Sequence, residues 1–207
     1  MIPADFDYVR AGSVDEAVAL LASDEDAKLI AGGHSLLPMM KLRLAFPSVL
    51  VDVRRLPGLS YVRTEGDEIA IGALTRHCGL VESTVLRAEA PLLAEAASFV
   101  GDPQIRHRGT IGGSLSHADP AADLPAAVLA SDATLVVRGP AGRRSIAAAD
   151  FFVDYFQTAL RPDEMLVEVR VPRTGPNGWH YSKFVRRAND WAIVAVATVA
   201  GRVALAG

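Results

Sequence analysis

Residues 31–44 read AGGHSLLPMMKLRL, a glycine pair set between a strand-like run from Lys28 and a segment, residues 36–42, with the spacing of a short helix. Two adjacent glycines, Gly32 and Gly33, let the backbone take positive φ and approach another group closely. At the start of a helix, free N–H groups and the helix dipole then make an anion site that needs no lysine. Ser35 adds a hydroxyl. A second stretch, GTIGGSLSHADPAAD at residues 109–123, repeats the pair as Gly112 and Gly113, with Thr110 and Ser114 beside it. It has little helical periodicity and reads as a long functional loop. One Gly–Gly pair is only a turn signal, whereas two such loops suit a diphosphate. Neither matches G-x-G-x-x-G and neither is followed by G-K-S/T, so the Rossmann and P-loop readings fail.

Outward from these loops, Ser13 and Glu16 form a capping box ahead of Val14, Ala17, Val18 and Leu21, which predicts a helix over residues 14–22. Strands are expected at residues 28–31 and 48–53, and a hairpin at residues 59–64 and 68–73 across Glu65-Gly66-Asp67. Helical patterning returns at residues 76–82 and 92–99. Asp123 reads as the N-cap of a helix at residues 125–131. A second hairpin follows at residues 134–138 and 143–146, then strands at residues 165–171, 179–186 and 191–199. The turn-rich segment at residues 174–178 is the best boundary. The fold class is α+β, helices on mixed sheets. The expected division is a domain over residues 1–175, with lobes at about 1–55 and 56–175, and residues 178–207 as the first strands of an incomplete further domain. The last strand has no polar cap or helix after it, so the chain reads as cut short.

Composition narrows the function classes. The chain has 207 residues, 50% of them hydrophobic, and can bury a core; its net charge of -3 gives no basic field for nucleic acid. No apolar run approaches the roughly 20 residues a membrane helix needs. The N-terminus lacks a secretion signal, and the expected compartment is the cytoplasm. One cysteine, Cys78, excludes an internal disulfide and an all-cysteine iron–sulfur cluster made by this chain alone.

Three blocks, AGGHSLLPMMKLRL (31–44), DPQIRHRGTIGGSLSHADPAADLPA (102–126) and YSKFVRRANDWAIVAVA (181–197), resemble the FAD-binding medium subunit of molybdenum hydroxylases of the carbon monoxide dehydrogenase and xanthine dehydrogenase family. The resemblance covers essentially the whole chain. It implies a two-lobed FAD-binding domain of the vanillyl-alcohol-oxidase (PCMH) type with non-covalent FAD between the lobes. By the same alignment, Ala31, Gly32, Gly33, His34, Ser35 and Leu36, with Thr110, Ile111, Gly112, Gly113 and Ser114, hold the diphosphate and ribityl chain. Asp123 bonds the FAD, Leu166 lies against the isoalloxazine ring and Lys183 sits at its edge. The resemblance further implies a molybdenum-binding large subunit and a small subunit with 2Fe–2S clusters, arranged as a dimer of heterotrimers, with electrons leaving through the flavin to an external acceptor. Many relatives carry Asn where this chain has Ser114, and relatives continue past Gly207.

Plainer readings stand beside these. Lys183 also reads as a surface lysine on an edge strand, and Arg106 and Arg108 as surface partners of acids. His34 reads as an exposed loop histidine and is not counted as catalytic. Tyr181, Phe184 and Trp191 read as core packing, or as a partly exposed apolar face for a further domain or a partner subunit. His117, Asp119 and Asp123 lack the helical frame of a metal site. Other functions also stay open: a free-standing FAD oxidoreductase of the same fold, or a non-catalytic FAD-binding protein. A nucleophile elbow at Gly33-His34-Ser35 fails at Leu37, where a second glycine is required.

Overall fold

The computed structural model describes residues 2–207. In chain order, β1 (Asp7–Arg10), α1 (Val14–Ser23), β2 (Lys28–Ile30), α2 (Leu36–Lys41) and β3 (Val49–Asp52) form the first part. They are followed by β4 (Val62–Glu65), β5 (Glu68–Gly72), α3 (His77–Glu82), α4 (Thr84–Glu89), α5 (Pro91–Ser98), α6 (Pro103–Arg106), α7 (Ile111–His117) and α8 (Asp123–Ala130). Then come β6 (Thr134–Gly139), β7 (Gly142–Ala147), α9 (Ala148–Phe151), β8 (Phe152–Asp154), β9 (Gln157–Thr158) and β10 (Met165–Pro172). The last strands are β11 (Trp179–Phe184), β12 (Val194–Val199) and β13 (Arg202–Ala206).

Three main sheets organise these elements, beside the two-stranded pair β8-β9. The first is parallel, in the order β1-β3-β2. Its helix α1 starts with one half of the capping box in place, Ser13 Oγ accepting from the Glu16 amide at 3.1 Å, while the Glu16 carboxylate accepts from the Gly12 amide at 2.7 Å, one residue before the N-cap. The buried stripe of α1, Ala17, Val18 and Leu21, packs with Val51, Val53, Val136, Met165 and Val167, so one apolar cluster joins the first sheet to the second. The second sheet runs β4-β5-β10-β6-β7 and is antiparallel throughout. Its other face carries the largest core, with α5, α7 and α8 on it. The third sheet, β11-β12-β13, lies against α8 and α5 through Tyr181, Ala195, Ala197 and Val199.

The structure departs from the sequence reading at several points. The second Gly–Gly stretch is no long loop: Gly112 and Gly113 lie in the first turn of α7, whose N-cap Thr110 accepts from the Gly113 amide. Glycine hid this helix because its low propensity masks the periodicity that Ile111 and Leu115 carry alone. Asp123 is not an N-cap. It is the first residue of α8, Ala122 occupies the cap, and the Asp123 carboxylate points to the third sheet. The short β1 and α4 carried no signal in isolation, and the last sheet's middle strand begins at Val194 rather than Trp191.

Candidate functional site

Loop 31–35 leaves β2 at its carboxyl end, where Ile30 O accepts from the Val53 amide. Gly33 takes φ +77°, a conformation that favours glycine, and the turn feeds α2 through Leu37 N to Gly33 O and Met39 N to Ser35 O. Among the described residues, no protein acceptor takes a hydrogen bond from the amides of Gly32, Gly33, His34, Ser35 or Leu36. Five successive unpaired donors at the start of a helix give a positively polarised end of the kind that attracts an anion.

The second loop supports the first. A Cβ at Gly32 would lie 2.5 Å from Arg108 O and 2.7 Å from Gly109 Cα, so the backbones touch and glycine is required there. Gly109 is in turn backed by His77, whose ring would be 2.7 Å from a Cβ at that position. The first amides of α7 are already committed to the protein: Ile111 N donates to Thr75 O at 3.0 Å, Gly112 N to Ala73 O at 2.8 Å, and Gly113 N to Thr110 Oγ1 at 3.1 Å. The two glycine pairs are therefore not equivalent. The first presents amides, and the second presents the half-buried Ser114 hydroxyl, with no protein partner among the described residues, while docking α7 on the turn that follows β5.

Asp123 and Lys183 meet in a buried ion pair at 3.0 Å, both side chains 3% exposed. Tyr181 donates to Asp123 Oδ1 at 2.6 Å, and Lys183 Nζ donates to Phe99 O at 3.1 Å as well as to Asp123 Oδ2. β11 is an edge strand, yet Lys183 is no surface lysine, because its stem is enclosed between α8 and the end of α5. Burial and the adjacent carboxylate push the Tyr181 hydroxyl well above the usual phenol range. Of the three sequence-stretch aromatics, Tyr181 is core, whereas Phe184 and Trp191 are largely exposed. Leu166 is buried in the main core beside a β-bulge between residues 166 and 168.

Among the described residues Arg106 pairs with no acid; its guanidinium bonds the carbonyls of Ser98, Val100 and Gly101 and so braces the turn that carries Phe99. His34 is exposed. The three residues weighed as a metal set diverge. His117 packs on Phe156, Asp119 caps the Ala121 amide, and Asp123 is taken by Tyr181 and Lys183. Sequence reasoning missed Tyr181 as a site residue, although the alternation Tyr181-x-Lys183 places both on one face of a strand. It also missed His77, for which no local pattern signals burial.

His77 is 4% exposed and its Nδ1 has no hydrogen-bond partner among the described residues. Burial, then the nearby His34 and Arg106, lower its pKa from 6.5 to about 4. Between those values the unfolded chain binds the proton that the folded chain refuses, so stability falls as pH drops through this window and stops falling below it. The gap corresponds to roughly 3 kcal/mol at about 1.4 kcal/mol per unit. We expect urea midpoints measured from pH 7 to pH 5 to decline less steeply in His77→Gln than in the wild type. Parallel slopes would remove His77 as the cause.

These features fit a flavin dinucleotide. Gly32 leaves room that a Cβ would fill, the first loop offers free amides, Ser114 offers a hydroxyl, and the Lys183 ammonium has a third N–H beyond its two protein bonds. Comparison with known proteins agrees. The profile of the family described as "FAD binding domain in molybdopterin dehydrogenase" matches residues 4–174. The carbon monoxide dehydrogenase medium chain of Hydrogenophaga pseudoflava is 49% identical over 201 residues, which span 96% of this chain and 70% of that protein. The 6-hydroxypseudooxynicotine dehydrogenase complex subunit alpha of Paenarthrobacter nicotinovorans is 46% identical, over 96% of this chain and 68% of that protein. Among solved structures, carbon monoxide dehydrogenase from Hydrogenophaga pseudoflava superposes with a TM-score of 0.95 at 47% identity, covering all of this chain and 76% of the other. Quinoline 2-oxidoreductase from Pseudomonas putida 86 gives 0.93 at 35% identity, covering all of this chain and 75% of the other.

Proposed function

The chain belongs to the family of FAD binding domains in molybdopterin dehydrogenase, and from that premise we propose how its residues serve an oxidoreductase complex. It is the FAD subunit of a molybdenum hydroxylase of the carbon monoxide dehydrogenase and xanthine dehydrogenase kind. Its partners are a large subunit carrying the molybdenum cofactor and a small subunit carrying 2Fe–2S clusters, in a dimer of heterotrimers in the cytoplasm. No helix of the described residues is long and apolar enough to cross a membrane.

FAD held here would supply the redox centre between the iron–sulfur clusters and an external acceptor. The protein's part is binding, orientation and local charge. The amides of Gly32 to Leu36, reached from Ala31, take the diphosphate, and this run of free donors is the observation that carries the reading. Thr110 and Ser114 address the ribityl side, with Ile111, Gly112 and Gly113 fixing their position. Asp123 and Lys183 border the ring, and Leu166 closes the apolar wall behind it. The proposed segmentation follows the sheets: lobes over residues 1–55 and 56–175, then residues 178–207 as the first strands of a further domain.

The experiment is purification of the tagged chain from cells that also express its neighbouring genes, with subunits identified by mass and metals by elemental analysis. Co-purification of a molybdenum-containing subunit and an iron–sulfur subunit, with non-covalent FAD on this chain, is expected. A flavoprotein that carries neither metal under conditions where both partners are expressed would overturn the assignment to a hydroxylase.

A further inference from the structure

The strand β11 places Tyr181 and Lys183 on one face, two residues apart, and both reach the same carboxylate from that face. Tyr181 is buried, tilts its ring against Phe99 at 5.3 Å, and gives its only polar group to Asp123 Oδ1. Lys183 gives one N–H to Asp123 Oδ2 and another to Phe99 O. Asp123 is thus held from two sides. A buried carboxylate facing a lone ammonium would cancel most of its charge, whereas a phenol donating to the other oxygen draws negative charge away from the lysine. The raised pKa of Tyr181 keeps that phenol protonated, so the donation persists across the working pH range.

Resting on the reading that FAD lies at this cleft, we propose that Tyr181 is a positioning residue for the flavin. Through its hydrogen bond to Asp123, it sets how much positive charge Lys183 presents to the ring. The same bond fixes the carboxylate's rotamer, so Lys183 keeps its third N–H directed away from Asp123 and Phe99. Without the phenol, Asp123 Oδ1 has no protein donor, the carboxylate neutralises Lys183 more completely, and extra electrons on a neighbouring ring become harder to accommodate. Tyr181 itself needs no contact with the cofactor.

The test measures the midpoint potential of FAD bound to the full chain, by dye equilibration, in four proteins: wild type, Tyr181→Phe, Lys183→Met, and one with 3,5-difluorotyrosine incorporated at position 181. Tyr181→Phe is expected to keep FAD at wild-type stoichiometry and to weaken binding of its reduced form relative to the oxidised form by about tenfold. For a two-electron couple that is a drop of about 30 mV. The difluorinated phenol, a stronger donor of the same shape, is expected to shift the potential upward, and Lys183→Met to lower it at least as far as Tyr181→Phe does.

A lowered potential in Lys183→Met with no change in Tyr181→Phe would overturn the role of Tyr181 and leave the site reading intact. Unchanged potentials in both would mean that the flavin is elsewhere, and the site reading itself fails. Should Tyr181→Phe not retain FAD, the fluorinated protein decides, and an unshifted potential there overturns the proposal.

Discussion

Gly32→Ala is expected to bind FAD about 10- to 100-fold more weakly than the wild type while keeping its secondary structure. The new Cβ would sit 2.5 Å from the Arg108 carbonyl oxygen, a backbone atom with no rotamer through which to retreat. Relieving that overlap costs about 1–3 kcal/mol, and at about 1.4 kcal/mol per tenfold it is felt as lost affinity when the loop moves out of its binding shape. Gly58→Ala is the control. Gly58 has a positive φ of +73° but nothing within 4 Å of its added Cβ, so it tests backbone strain alone and is expected to bind FAD as the wild type does. Equilibrium titration of flavin fluorescence, with circular dichroism on the same samples, measures both. Equal affinities for Gly32→Ala and the wild type would show that the contact between the loops does not shape the site.

Asp123→Ala should be the most destabilising single change at the site, by about 3–5 kcal/mol, because it strands the Lys183 ammonium where only 3% of the side chain is exposed. The Tyr181 hydroxyl loses its acceptor in the same step. Asp123→Leu combined with Lys183→Met removes both charges and is expected to recover much of that loss, since the penalty of a stranded charge disappears. Urea denaturation of the single and double variants checks this. If the double variant is no more stable than Asp123→Ala, the deficit comes from packing between α8 and β11 rather than from charge.

Much of this is legible in the sequence itself. The capping box at Ser13 and Glu16 specified α1 because its signal is local, and the Gly66 and Gly139–Gly142 turns announced their hairpins for the same reason. The first glycine loop was read at the right place between β2 and α2. What could not be read was how the two loops differ. Whether an amide is free depends on Thr75 and Ala73, which lie more than 30 residues from Ile111 and Gly112 in sequence and pair with them only through the fold. The cap reading of Asp123 fails for a related reason. A local rule favours the N-cap role, while the actual partners, Tyr181 and Lys183, stand about 60 residues away on the third sheet. Local chemistry is visible in sequence; charge pairing across elements is a property of packing.

The central claim is that the free amides of residues 32–36 hold the diphosphate of a non-covalent FAD. The most direct measurement is FAD content and uptake by the purified chain: ligand released by heat and identified by mass, then FAD titrated back onto wild type, Gly32→Ala and Gly58→Ala. The prediction is one FAD per chain, displaced by excess ADP, with uptake weakened only in Gly32→Ala. A chain that neither carries nor takes up FAD, or one that binds it equally well with alanine at position 32, would contradict the account.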